Sequence, residues 1–184
     1  DSDFNNYLTK VANISPDNPL LIEKFLDDAV ELDIDVICDG EKTLIGGVLQ
    51  HIEEAGIHSG DSSCSFPPYS VGDTQLYALK KEIKAVATKL NVVGLMNAQV
   101  AIKDDKFYMI EVNPRASRTI PFLSKCIGNS LAKIASKVIT GKSLSELGLH
   151  AEIMPTNYAV KAPVFPFNKF RKVDPILGPE MKST

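Results

Sequence analysis

The chain has 184 residues, of which 44% are hydrophobic and 23% charged, a balance that excludes disorder over most of its length. Twenty basic side chains against 23 acidic ones leave a net charge of −3, which speaks against a nucleic-acid or anionic-membrane surface. No apolar run is long enough to span a bilayer. The three cysteines, Cys38, Cys64 and Cys126, are widely spaced and form no CxxC pair. They give neither a disulfide framework nor a zinc site and fit a reducing cytoplasm, with Cys64, in a polar stretch, the one to test for reactivity. The start, Asp1-Ser2-Asp3-Phe4, is acidic, unlike a signal peptide, and lacks Met, as expected of a processed or excised piece.

Residues 3–12 predict a short helix with Phe4, Tyr7, Leu8 and Val11 on one face. Ser15-Pro16-Asp17-Asn18-Pro19 predicts a loop, and residues 20–26 a strand. Over residues 31–38, Leu32, Ile34 and Val36 alternate with Glu31, Asp33 and Asp35, the pattern of a strand with one solvated face. Asp39-Gly40-Glu41-Lys42 turns the chain into a second strand over 43–51, and the Gly-, Ser- and Pro-rich stretch 56–69 reads as a loop. A helix follows, capped by Asp73 or Thr74, with Leu76, Leu79, Ile83, Val86 and Leu90 alternating steps of three and four. Strands at 94–103 and 107–113 are joined through Asp104-Asp105-Lys106. Residues 123–127 and 130–139 read as helical, parted by Gly128-Asn129, and Ser143 with Glu146 forms a capping box for a short helix that Gly148 ends. Beyond residue 150, five of the eleven prolines surround one strand at 158–164 in an extended tail. The order predicts an α+β fold with a largely antiparallel sheet and packed helices.

The second hairpin carries the chemistry. Asn97, Gln99 and Ala101 share one face of its first strand, and Met109, Glu111 and Asn113 share one face of its second. A three-residue loop sets Gln99 opposite Glu111 and Asn97 opposite Asn113, whereas a two-residue loop sets Gln99 opposite Ile110 and mixes polar with apolar faces. The pattern therefore favours the odd loop. The resulting cluster of amide and carboxylate oxygens ends at Pro114 and is followed by Arg115 and Arg118. Oxygen donors suit a hard cation such as Mg²⁺, and arginines suit phosphate or carboxylate. Together they fit phosphoryl transfer, the alternative being a solvated polar face whose arginines pair with carboxylates. Gly141-Lys142-Ser143 mimics the end of a phosphate loop, but the first glycine of that pattern would fall at Ser136 with no strand before it, so Gly141 reads as a helix end.

The string Glu111-Val112-Asn113-Pro114-Arg115-Ala116-Ser117-Arg118-Thr119 resembles the metal-binding motif of ATP-grasp enzymes, and more narrowly that of the carbamoyl-phosphate synthase large-chain family. The stretches 25–31, 51–61, 94–99, 167–170 and 178–181 are similar to the same family, so that the resemblance spans nearly the whole chain. Thr119-Ile120-Pro121-Phe122 and the tail resemble the second of the family's two ATP-using halves, which phosphorylates carbamate. The implied architecture is an incomplete ATP-grasp fold. Residues 1–30 would belong to the nucleotide-clamping subdomain and its hinge strand, 31–150 to the metal- and nucleotide-binding subdomain, and 151–184 to an extended segment of the same domain.

The resemblance also implies roles. Gln99, Glu111 and Asn113 would hold Mg²⁺ or Mn²⁺, with Gln99 and Glu111 near the ATP phosphates. Glu31 would accept from the ribose hydroxyls, and Lys24 to Leu26 would read adenine through backbone groups. Gly56, Ile57, His58 and Ser59 would form a loop over the nucleotide, His58 donating to a phosphate or reacting oxygen, while His51 and His150 keep an ordinary structural reading. Arg115 and Arg118 would bind carbamate or the transferring phosphoryl group. The implied partners are the remainder of the large chain and a glutamine amidotransferase small subunit, in the cytoplasm, serving pyrimidine and arginine biosynthesis. The chain alone is expected to bind ATP weakly and make no carbamoyl phosphate. The alternatives are another ATP-grasp carboxylate ligase or carboxylase, or a non-catalytic nucleotide-binding module.

Overall fold

The computed structural model describes residues 2–14, 22, 24–170 and 172–184. Its elements in chain order are α1 (Ser2–Ile14), β1 (Val30–Asp39), β2 (Thr43–His51), β3 (Cys64–Phe66), α2 (Asp73–Lys89), β4 (Val93–Lys103), β5 (Lys106–Asn113), α3 (Ile120–Cys126), α4 (Leu131–Ile139) and β6 (Ala159–Lys161). The strands form one sheet in the order β5-β4-β1-β2-β3-β6, and every pair is antiparallel. No helix among the described residues is long and apolar enough to cross a membrane.

The period of two in β1 divides the interior. Leu32, Ile34 and Val36, with Met96, Ala98 and Val100 of β4, face α2 and pack on Leu79, Ile83 and Ala87. The opposite face is itself divided. At one end Ile37, Leu49, Leu95 and Phe66 meet Ile120 and Leu123 of α3 and Leu131, Ala135 and Val138 of α4. At the other end the same face carries Glu31, Asp33 and Asp35. These acids are not solvated: they are 7%, 5% and 1% exposed. Gly46 and Gly47 let the helices approach, because a Cβ at Gly47 would collide with the Leu123 side chain and one at Gly46 would lie 3.0 Å from Leu131 Cδ1.

Several local expectations need correction. Among residues 20–26 the described positions, 22 and 24–26, are not in a strand, and the expected 15–19 loop lies outside the described residues. The stretch 56–69 contains a short strand, β3, so Cys64 is fully buried in the sheet, and burial pushes its thiol up to about 12. Such a thiol is not a reactive one, although its polar stretch makes it the one to test from sequence. Gly72, not Asp73 or Thr74, occupies the N-cap of α2, without a side-chain cap bond. Helix α3 begins at Ile120, where Pro121 suits the first turn. Ser143 and Glu146 exchange the reciprocal bonds of a capping box, at 2.8 and 3.2 Å, but enclose only a turn. The last strand is shortened to β6, which pairs with β3. Beyond it, Asp61 accepts the Lys182 and Ser183 N–H groups at 2.7 and 2.8 Å, tying the tail to the 56–61 loop.

The hairpin of β4 and β5 differs from expectation in an informative way. Its turn has two residues, Asp104 and Asp105, both at positive φ (49° and 59°), which matches strand twist in a tight hairpin. Lys103 therefore faces Lys106, and Met109 faces Val100 on the α2 side rather than sharing the Glu111 face. The register then shifts, leaving Ile110 unpaired as a bulge, and Gln99 meets Glu111 while Asn97 meets Asn113. The expected cross-strand pairs are present, but a bulge produces them, not an odd loop.

Candidate functional site

Two clefts open on the polar face. The first, about 230 Å³, is lined by Asp33, Asn97, Glu111, Asn113, Arg115, Ser117, Arg118 and Thr119. Ser59 and Gly60 reach it from the loop, and Lys161, Ser183 and Thr184 from the tail. The second, about 390 Å³, lies between Phe25, the 27–31 segment and the end of β2, with Glu31, His51 and Glu53 in its wall. Gln99 lines neither cleft but touches residues of both. It pairs with Asp33 and with Glu111 across its neighbouring strands, and its Nε2 donates to Glu31 Oε2 at 3.3 Å.

Three amides donate to three carboxylates: Gln99 to Glu31, Asn97 Nδ2 to Asp35 Oδ1 at 3.2 Å, and Asn113 Nδ2 to Glu111 Oε1 at 2.9 Å. Each amide thus keeps its carbonyl oxygen as an acceptor. With the exposed Glu111 carboxylate, the set offers hard oxygen atoms, which fits a divalent cation of the Mg²⁺ type and not a soft one.

In the wall of the second cleft His51 organises the carboxylates: its Nε2 lies 3.0 Å from Asp33 Oδ2 and its Nδ1 lies 3.2 Å from Glu31 Oε2, the latter short of hydrogen-bond alignment. Burial alone would lower the His51 pKa, but the two carboxylates outweigh it and lift it to about 9. Glu31 Oε1 also accepts the Gly56 N–H at 3.3 Å, bringing the loop to the strand. Asp35 lies deeper. Burial raises its pKa to about 6, against the lowering influence of Ser117, Thr119 and Asn97.

His58, half-buried in the 56–61 loop, lines neither cleft. Its N–H donates to Gly178 O at 2.8 Å, and its Nδ1 accepts from the Gly60 N–H at 3.0 Å, so Nε2 is the ring nitrogen left to donate outward. Arg118 reaches toward Met181 of the tail, and Arg115 donates to Ala116 O. Neither arginine is paired with a carboxylate among the described residues. Lys24 is exposed and Leu26 half-buried beside the second cleft, to which Phe25 contributes its ring.

Residues 1–147 match the family described as carbamoyl-phosphate synthase L chain, ATP binding domain. The chain belongs to this family. A carbamoyl phosphate synthase large chain of Pseudomonas putida is 56% identical over 182 residues, and those of Pseudomonas aeruginosa and Vibrio cholerae are 52% and 50% identical over 184 residues. These alignments cover 99–100% of this chain but only 17% of each relative. In fold, the chain is similar to a biotin carboxylase domain of a single-chain bacterial carboxylase, with a TM-score of 0.70 at 18% identity over 79% of this chain and 35% of that one. A single-chain long-chain acyl-CoA carboxylase gives a TM-score of 0.66 at 18% identity over 85% and 17%. At that identity these two speak for the ATP-grasp fold alone.

Sequence reasoning gathers Glu111, Asn113, Arg115, Arg118 and Ser59, which line the first cleft, and Glu31, which lines the second; its other choices, Lys24, Leu26, Gly56, Ile57, His58 and Gln99, line neither. It misses Asp33, Asp35 and His51 as interior polar groups. It also misses Ser117, Thr119, Lys161, Ser183 and Thr184, whose only signal is proximity in sequence to the arginines or to a tail whose path is not encoded locally.

Proposed function

We propose that this chain supplies the ATP- and metal-binding wall of the carbamate-phosphorylating half of a carbamoyl-phosphate synthase large chain. The observation that carries this reading is the convergence of Glu111, Asn113, Arg115 and Arg118 on one cleft beside Gln99, in a chain of this family. Residues 1–30 would then belong to the clamping subdomain, 31–150 to the core of the site, and 151–184 to the segment that closes it.

Gln99, Glu111 and Asn113 would hold Mg²⁺ or Mn²⁺, whose positive charge would offset the negative charge of the ATP phosphates. Glu31 accepts from the ribose hydroxyls, and Lys24 to Leu26 present backbone groups to adenine at the cleft that Phe25 borders. Gly56, Ile57 and Ser59 bring backbone close to the phosphates, and His58 donates from Nε2. Arg115 and Arg118 hold carbamate and the transferring group, which lowers the cost of one anion attacking another. The carbamate oxygen forms its bond to the γ-phosphorus as the bond to ADP breaks, and no covalent enzyme intermediate is needed. The partners are the remainder of the large chain and a glutamine amidotransferase subunit, in the cytoplasm, with the product entering pyrimidine and arginine biosynthesis.

The test is carbamate-dependent release of ADP by the complete large chain with its other ATP half inactivated. Metal-dependent release with carbamate is expected. Release with a different carboxylic acid would assign another ATP-grasp ligase, and ATP binding without turnover would assign a non-catalytic module. The isolated chain should bind ATP weakly and show no turnover.

A further inference from the structure

Asp35 occupies the middle of β1, is 1% exposed, and forms no ion pair among the described residues. Its partners are neutral donors from two separate places. Asn97 Nδ2 on β4 and Ser117 Oγ, at 3.2 and 2.6 Å, bind Oδ1, and Thr119 Oγ1 binds Oδ2. Ser117 Oγ also lies 2.5 Å from Thr119 Oγ1 and accepts the Thr119 N–H at 3.2 Å. Segment 117–119 is thus gathered onto one carboxylate.

Among the described residues, residues 116–118 make no backbone-to-backbone hydrogen bond. After β5 the Arg115 N–H donates to Asn113 O at 2.8 Å, and the next backbone bond joins Leu123 N to Thr119 O at 2.9 Å, at the start of α3. Between these, the two arginines of the cleft flank Ser117. Burying a carboxylate without a cation is a costly way to fill a strand position, which an aliphatic side chain would fill as well. What the carboxylate adds is acceptor capacity for three donors at once. Its second attachment, Asn97, sits directly opposite Asn113, so both ends of the cleft are referred to the same group.

The geometry points to Asp35 as a positioning residue that fixes the 115–119 segment and Asn97 against the sheet, and thereby governs transfer to the anionic acceptor rather than capture of ATP. A misplacement of about 1 Å in such a constellation costs on the order of 10²-fold in rate. The kinetic side of this inference rests on the proposed function; its structural side does not.

The test compares the complete large chain with its Asp35→Asn variant, which keeps the volume and one acceptor oxygen, and with Asp35→Ala. Measured together are kcat with carbamate, the Kd of a fluorescent Mg-ATP analogue, and amide hydrogen exchange. With Asp35→Asn, kcat should fall about 10- to 100-fold while the nucleotide Kd stays within about threefold, and exchange should quicken at 115–119 but not in β1 or β4. Asp35→Ala should deepen both effects if it folds, and Asp35→Asn decides if it does not. An unchanged kcat overturns the inference. So do parallel losses of kcat and nucleotide affinity with faster exchange throughout β1 and β4, which mark a merely structural role. If the parent enzyme does not phosphorylate carbamate, the proposed function fails on its own, and exchange still decides: no local change at 115–119 overturns the positioning role.

Discussion

His51 should leave a pH signature on stability. Its imidazole lies between Glu31 and Asp33, and its pKa rises from 6.5 to about 9, so the folded chain keeps a proton that the unfolded chain releases. The stabilising contribution is complete below pH 6.5 and is lost as pH climbs through about 9. A shift of that size corresponds to about 3 kcal/mol in total, of which about 2 kcal/mol disappears by about pH 8.5. With a urea slope of about 2 kcal/mol per molar, the unfolding midpoint should fall by on the order of 1 M over that interval. The chain has no Trp, so circular dichroism is the natural probe. Asp35, at about 6, titrates below the window, and the buried Cys64 thiol, at about 12, penalises the fold only above the ordinary thiol value of 9. His51→Asn should abolish the slope between pH 6.5 and 8.5. A variant as pH-dependent as the parent, or a parent with a flat midpoint, would refute the account of this buried triad.

Glu111→Gln should remove this half's metal-dependent ATP turnover, read in the complete large chain with its other ATP half inactivated, while changing stability by less than about 0.5 kcal/mol, since the side chain is exposed; turnover surviving there at saturating Mg²⁺ would reassign the ligand. Gly47→Ala forces a methyl group against Leu123 and should cost about 1–3 kcal/mol, read as a lower thermal midpoint, with displacement of α3 and of the adjoining arginine segment. Thiol labelling of the native chain should modify Cys126, which is half-buried, well before Cys38 and Cys64, which should react only on unfolding.

Much of the fold was legible because its signals are local. Alternation marks β1, Asp39-Gly40 marks the first turn, and the steps of three and four mark α2. The Glu111 to Arg118 motif was legible for the same reason. What alternation does not say is whether a polar face meets water. Asp33 and Asp35 alternate with aliphatic residues as solvated acids do, yet they are buried because β4, the 115–119 segment and the tail close over them. His51 looked ordinary because its two partners are 18 and 20 positions away and become neighbours only through the pairing of β1 with β2. Cys64 looked like a loop thiol because a three-residue strand is too short to show a period, and its burial depends on β6, nearly a hundred residues later.

The unpaired Ile110 has a mechanical consequence. It confines any slip near the turn to residues 106–109, because the pairing of Gln99 with Glu111 is the same whether the extra residue sits at the bulge or in a longer turn. That is why the wrong loop length still led to the right pairs. What selects the bulged arrangement is the apolar side: it turns Phe107 and Met109 toward α2, whereas the odd loop would turn them away. The hairpin therefore has a packing end and a chemical end joined by one residue of slack, and a residue inserted at the Asp104-Asp105 turn, or the loss of Ile110 itself, can be absorbed without rotating a single oxygen donor.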